Sequence, residues 1–119
     1  MKPILRGIFL TAQDPAATAK FYQEVARLDL EQIGNTGGYI YWKIDRDGFQ
    51  LAIHDAAQFA EYSRPARPES NVTHLYFKIE NQGKFLGHLK ELDIAPYALD
   101  DVVVTVEDPD GRKVMFGTA

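Results

Sequence analysis

The chain has 119 residues, 45% of them hydrophobic and 25% charged, which is the balance of one globular domain and not of a disordered or fibrous chain. A formal charge of −4 without a cluster of Lys and Arg argues against a nucleic-acid partner, and no apolar run is long enough for a signal peptide or a membrane span. Cysteine is absent, which removes disulfides, thiolate metal sites and Cys nucleophiles together and fits a cytoplasmic location.

Residues 4–12 read as a strand. Asp14-Pro15 then supplies a helix N-cap followed by proline at the first helical position, and Ala17, Phe21, Val25 and Leu28 recur on one helical stripe. Residues 30–33 predict a short strand, Gly34 to Gly38 a turn, and residues 39–45 a strand carrying Trp42. Asp47-Gly48 turns the chain into residues 49–54, so the last two strands form a hairpin. Residues 55–62 read as a short helical turn presenting Phe59 and Tyr62. The stretch 63–71, rich in proline and polar residues, reads as a linker between module one (1–62) and module two (72–119).

The second half repeats the first. Residues 73–80 predict a strand, Asn81 is an N-cap candidate, and Phe85, Leu89 and Leu92 match Phe21, Val25 and Leu28 at a constant offset of 64. Asp45-Arg46-Asp47-Gly48 recurs as Asp108-Pro109-Asp110-Gly111, which predicts a second hairpin turn. In the first strand Ile8, Leu10 and Ala12 share the parity expected to face the helix, which turns Leu5, Gly7, Phe9 and Thr11 the other way. In the strand of module two Leu75, Phe77 and Ile79 face the helix, leaving His74, Tyr76, Lys78 and Glu80 on the open side. His88 lies off the apolar stripe, as a solvated residue should.

Two copies of strand, capped helix and hairpin, with Asp14-Pro15 leading to Phe21-Tyr22 and with Glu107-Asp108-Pro109-Asp110-Gly111-Arg112, resemble the glyoxalase/bleomycin-resistance/dioxygenase superfamily, the vicinal oxygen chelate fold. The resemblance implies an α+β fold of two βαβββ modules forming a cup-shaped mixed sheet, with ligands bound inside. It also implies four metal-ligand positions, occupied in this chain by Gly7, Ala52, His74 and Met115, of which only His74 is a ligand type. No divalent metal or other cofactor is therefore expected.

The leading expectation is a metal-independent protein that binds a drug or metabolite without catalysing a reaction. Its pocket residues are expected to be Phe9, Gln50, His54, His74, Tyr76 and Met115. Tyr41 and Trp42 are further candidates whose facing depends on the hairpin register, and core packing suits Trp42 better than Tyr39 or Tyr41. One alternative is a metal-dependent lyase, isomerase or dioxygenase using His74, His54 and a carboxylate, and a second is a non-catalytic interaction module. No nucleophile elbow or phosphate-binding loop is present. The resemblance also implies a homodimer, with neither nucleic acid nor membrane as partner.

Overall fold

The computed structural model describes residue 2 and residues 4–59 and 74–119. In chain order the elements are β1 (Gly7–Ala12), α1 (Pro15–Glu24), β2 (Glu31–Ile33), β3 (Tyr41–Arg46), β4 (Phe49–Asp55), α2 (Ala56–Phe59), β5 (Leu75–Lys78), α3 (Gln82–Glu91), β6 (Ala98–Leu99), β7 (Val103–Glu107) and β8 (Lys113–Gly117). They form two four-stranded sheets of the same topology, β1-β4-β3-β2 and β5-β8-β7-β6, in each of which the first strand is parallel to the last. This is the α+β arrangement of two βαβββ modules that the sequence repeat predicts. Strand β6, two exposed residues paired with Val104 and Thr105, carries too little pattern to be foreseen. The expected linker and Tyr62 lie outside the described residues.

Local chemistry explains the element boundaries. The Asp14 carboxylate accepts from the Ala17 N–H at 3.0 Å ahead of Pro15, and the Asn81 side chain accepts from the Lys84 N–H at 2.8 Å, so each main helix opens on a satisfied cap. The two hairpin turns differ despite their shared sequence. Arg46 pairs with Phe49, so Asp47 (φ 54°) and Gly48 (φ 80°) alone make the bend, the two-residue type that requires positive φ at both positions. In module two Pro109 stands at the position of Arg46 and has no N–H with which to close such a turn against Arg112. The Asp108 N–H donates to the Arg112 carbonyl instead (2.8 Å), and the loop enlarges to Pro109-Asp110-Gly111 with Gly111 at φ 82°.

The helix-facing side chains of both modules share one core. Leu10, Ala12, Phe21, Tyr22, Val25 and Ile53 from module one join Phe85, Leu89, Val104, Val106, Val114 and Phe116 from module two. Helix stripe and strand parity both follow the sequence pattern. Trp42 belongs to this side, packed against the core together with Ile44 and Leu51.

Polar contacts lock the modules together along the same side. The Asp108 carboxylate is wholly buried and accepts from Tyr22 Oη (2.9 Å), Arg112 Nη1 (2.6 Å) and the N–H groups of Asp110 and Arg112 (both 2.9 Å). Arg112 Nη2 donates to the Thr11 carbonyl at the end of β1 (2.8 Å), and the Gln13 N–H donates to Asp110 (3.0 Å). Burial, reinforced by the Asp108 charge, pushes the Tyr22 phenol pKa upward, so this group stays a donor. His88, expected in solvent, is half-buried and bridges the modules: its Nε2 donates to the Glu24 carbonyl at 2.7 Å. The helix stripe reveals which residues of α3 face its own sheet but not which meet the other module.

Removing one partner of a buried pair strands the other. Arg112→Ala should therefore lower unfolding free energy by about 3–5 kcal/mol, and Tyr22→Phe by about 1–3 kcal/mol, measured by urea denaturation. Losses below about 0.5 kcal/mol in both would show that this cluster does not hold the modules together.

Candidate functional site

The pleat of module one puts Gly7, Phe9 and Thr11 of β1 beside Gln50, Ala52 and His54 of β4, all on the face turned away from α1. The β3 residues Asp45 and Lys43 continue this face, with Glu31 of β2 beyond Lys43. Tyr41 follows at the next position of that parity. The face has two halves of different character.

One half is charged. Lys43 bridges Asp45 and Glu31, Arg6 approaches Asp45 at 3.6 Å, and the Gln50 amide donates to Asp45 at 3.1 Å. Hydrogen bonding to Lys43 holds the Asp45 carboxyl below its usual range, and the same bond, with help from Glu31, raises Lys43. These groups are well solvated, so the ladder orders the surface more than it stabilises the fold.

The other half is aromatic and centres on His54, which is only 8% exposed. Tyr41 stacks on the imidazole with centroids 4.8 Å apart and planes 12° from parallel, while Phe9 meets it edge-on at 5.2 Å. Phe59, carried over the sheet by the short helix α2, lies 4.7 Å from the ring, and the Tyr39 hydroxyl is 2.7 Å from Nδ1. Nε2 is closed off from solvent and has no hydrogen-bond partner among the described residues. Burial pushes the His54 pKa below the ordinary imidazole value, so the ring is neutral near pH 7. A neutral imidazole with one unsatisfied nitrogen, walled by aromatic rings, can hold a flat molecule by stacking and by a single directed hydrogen bond.

The positions where a metal ligand would stand do not fit one. Ala52 is fully buried and offers no donor, and Met115 presents a thioether on β8 beside Tyr76. At Gly7 a side chain cannot even begin: an added Cβ would overlap the Gln50 carbonyl oxygen of the adjoining strand. His74 is an exposed residue immediately before β5, on the other module. Among the described residues, no three His, Asp or Glu side chains lie close enough together to hold an ion. A relocated set of His54, His74 and a carboxylate is accordingly not assembled.

Of the residues expected to form a pocket, Phe9, Tyr41 and His54 are brought into contact, and Gln50 lies on the same face at its charged end. Tyr76 and Met115 are neighbours on the open face of module two, where the Tyr76 hydroxyl donates to the Ala119 carbonyl at 3.0 Å. The contacts between modules described above run along the helix side, and none joins these two groups. Trp42 points to the opposite side of its sheet, into the core. Phe59 was not foreseen in the site, because only the fold of β4 into α2 returns it over His54.

No family model matches the sequence, and no curated protein resembles it significantly. Solved structures do. Lactoylglutathione lyase from Agrobacterium tumefaciens superposes with a TM-score of 0.67 at 17% identity, covering 98% of this chain and 94% of that one. A glyoxalase/bleomycin resistance protein/dioxygenase from Nocardioides gives 0.66 at 16% identity, covering 98% and 83%. This chain has the vicinal oxygen chelate fold. An antibiotic binding protein from a Streptomyces species shares that fold, with a TM-score of 0.65 at 16% identity over 98% of this chain and 95% of that one.

The burial of His54 has a thermodynamic signature. Because its folded pKa lies below the unfolded value of about 6.5, the unfolded chain binds more protons in that window, and stability rises with pH there. This contribution is complete above about pH 6.5 and is lost as the pH falls from there toward the folded pKa. Melting temperature should therefore drop between about pH 7.5 and about pH 5.5, and His54→Phe should flatten that part of the drop. Parallel curves for the two proteins would show that His54 is not the responsible group.

Proposed function

We propose that this vicinal-oxygen-chelate chain is a metal-independent binding protein for a flat, largely uncharged drug- or metabolite-like molecule. The observation that carries the reading is the environment of His54, a neutral imidazole stacked on Tyr41, flanked by Phe9 and Phe59 and left with an unsatisfied Nε2. A planar ligand that displaces Phe59 keeps the stacking surface and gains the hydrogen bond that Nε2 lacks. The donor-poor positions Gly7, Ala52 and Met115 support sequestration over metal-assisted chemistry, and sequestration asks for no catalytic group. The shared fold of the Streptomyces antibiotic binding protein is consistent with such a role.

Calorimetric titration with an uncharged anthraquinone and with bleomycin tests this reading. The anthraquinone should bind saturably, and Tyr41→Ala or Phe9→Ala should each weaken it about tenfold, or about 1.4 kcal/mol. Absence of heat with both compounds, or affinities unaffected by both substitutions, would overturn it.

A second copy of the chain is proposed to complete the binding face. Strands β1 and β5 are sheet edges, and beside them Leu5 (78% exposed), Phe9 (51%) and Tyr76 (45%) leave apolar surface uncovered. Apposing module one of one copy with module two of another would cover both edges under two-fold symmetry. Sedimentation velocity should show a dimer at micromolar concentration that Leu5→Glu with Tyr76→Glu converts to monomer, whereas a monomeric wild type would reject the arrangement.

A further inference from the structure

An open cavity lies away from the His54 face, on the helix side, where the end of α1 meets α3 and β5. Its volume is about 570 Å3, within the range that small-molecule sites occupy. Phe77 and Ile79 line it with half-buried apolar surface over the buried rings of Phe85 and Phe116, and Arg27 and Lys84 set two cations against one acidic residue, Glu80. Among the described residues Lys84 is engaged in no ion pair.

Arg27 is held in place by two independent features. Its backbone is left-handed (φ 55°), a conformation that costs a non-glycine residue about 1 kcal/mol and that turns the chain so that the Leu28 N–H reaches the Tyr22 carbonyl (3.1 Å). The same left-handed turn closes α3 at Asp93 (φ 58°), so it is the ordinary way these helices end, and here it fixes the backbone of Arg27 beside the cavity. The guanidinium is also aimed. His88 Nε2 must carry the proton, because it faces the Glu24 carbonyl, so Nδ1 is left as an acceptor for Arg27 Nη2 at 3.1 Å. The remaining guanidinium N–H groups are free to form the planar fork that matches a carboxylate.

We propose that this inter-module cavity binds a monocarboxylate with an apolar body, the carboxylate held by Arg27 and Lys84 and the body lying on Phe77 and Ile79. Such a ligand would touch both modules at once, so its binding would stabilise their present orientation. The site is separate from the aromatic face around His54 and does not rest on the function proposed there.

Octanoate and 1-octanol, which differ only in the head group, serve as probes, with amide chemical shifts of the full chain reporting affinity and place. Octanoate should bind saturably in the millimolar range or tighter, shifting Val25, Arg27, Phe85 and His88, and 1-octanol at least tenfold more weakly. Arg27→Gly relieves the left-handed strain, so that variant should melt no lower than wild type by more than a few degrees while losing at least fivefold in octanoate affinity. Lys84→Gln should lose less. The proposal fails if octanoate does not bind, if 1-octanol binds as tightly, if Arg27→Gly leaves the affinity unchanged, or if the shifts are confined to Phe9, Tyr41 and His54.

Discussion

The Asp108 carboxylate is the point on which the arrangement of the two modules depends. An anion withdrawn from water is tolerable only when its lone pairs are filled, and here a phenol, a guanidinium and two backbone N–H groups fill them. Three of these donors belong to the β7–β8 loop itself; docking on module one adds the fourth, the Tyr22 phenol of α1, and lets the same guanidinium grip the end of β1. The enlarged loop that Pro109 enforces is what presents Asp108 and Arg112 in the required geometry. One proline thus separates a hairpin that merely turns from a hairpin that joins.

With the modules fixed through their helix sides, each sheet keeps its other face for different work. In module one that face is divided between a solvated ladder of alternating charges and a dry aromatic cluster. The division follows strand position: Gln50 and Asp45 lie toward the hairpin, and His54 and Tyr41 toward the far end. The aromatic end is also where α2 folds back, so the rings exclude water from His54 and keep its imidazole uncharged.

Much of this was legible in the sequence because it is local. Asp14-Pro15 and Asn81 announce their caps, Asp47-Gly48 its two-residue bend, and the alternation in β1 and β5 assigns faces without knowledge of the fold. What stayed hidden depends on contacts distant in the chain. The side occupied by Trp42 is set by the length of the loop before β3, the loop after β7 by the missing N–H of one proline, and the setting of His88 by a carbonyl 64 positions earlier. In the site, Phe9 and His54 could be named from strand parity and Tyr41 only as a candidate whose facing stayed open, whereas Phe59 reaches them through a change of chain direction that parity does not encode.

The close approach of β1 to β4 at Gly7 constrains what this protein can become. Neighbouring backbone occupies the volume where any side chain would start, so no single codon change at that position can supply an imidazole or a carboxylate. Strand β4 would first have to move, and it carries Ala52 and His54 with it. A descendant could acquire ion-dependent chemistry here only by remodelling the sheet before gaining the ligand, a sequence of steps in which the earlier ones bring no benefit.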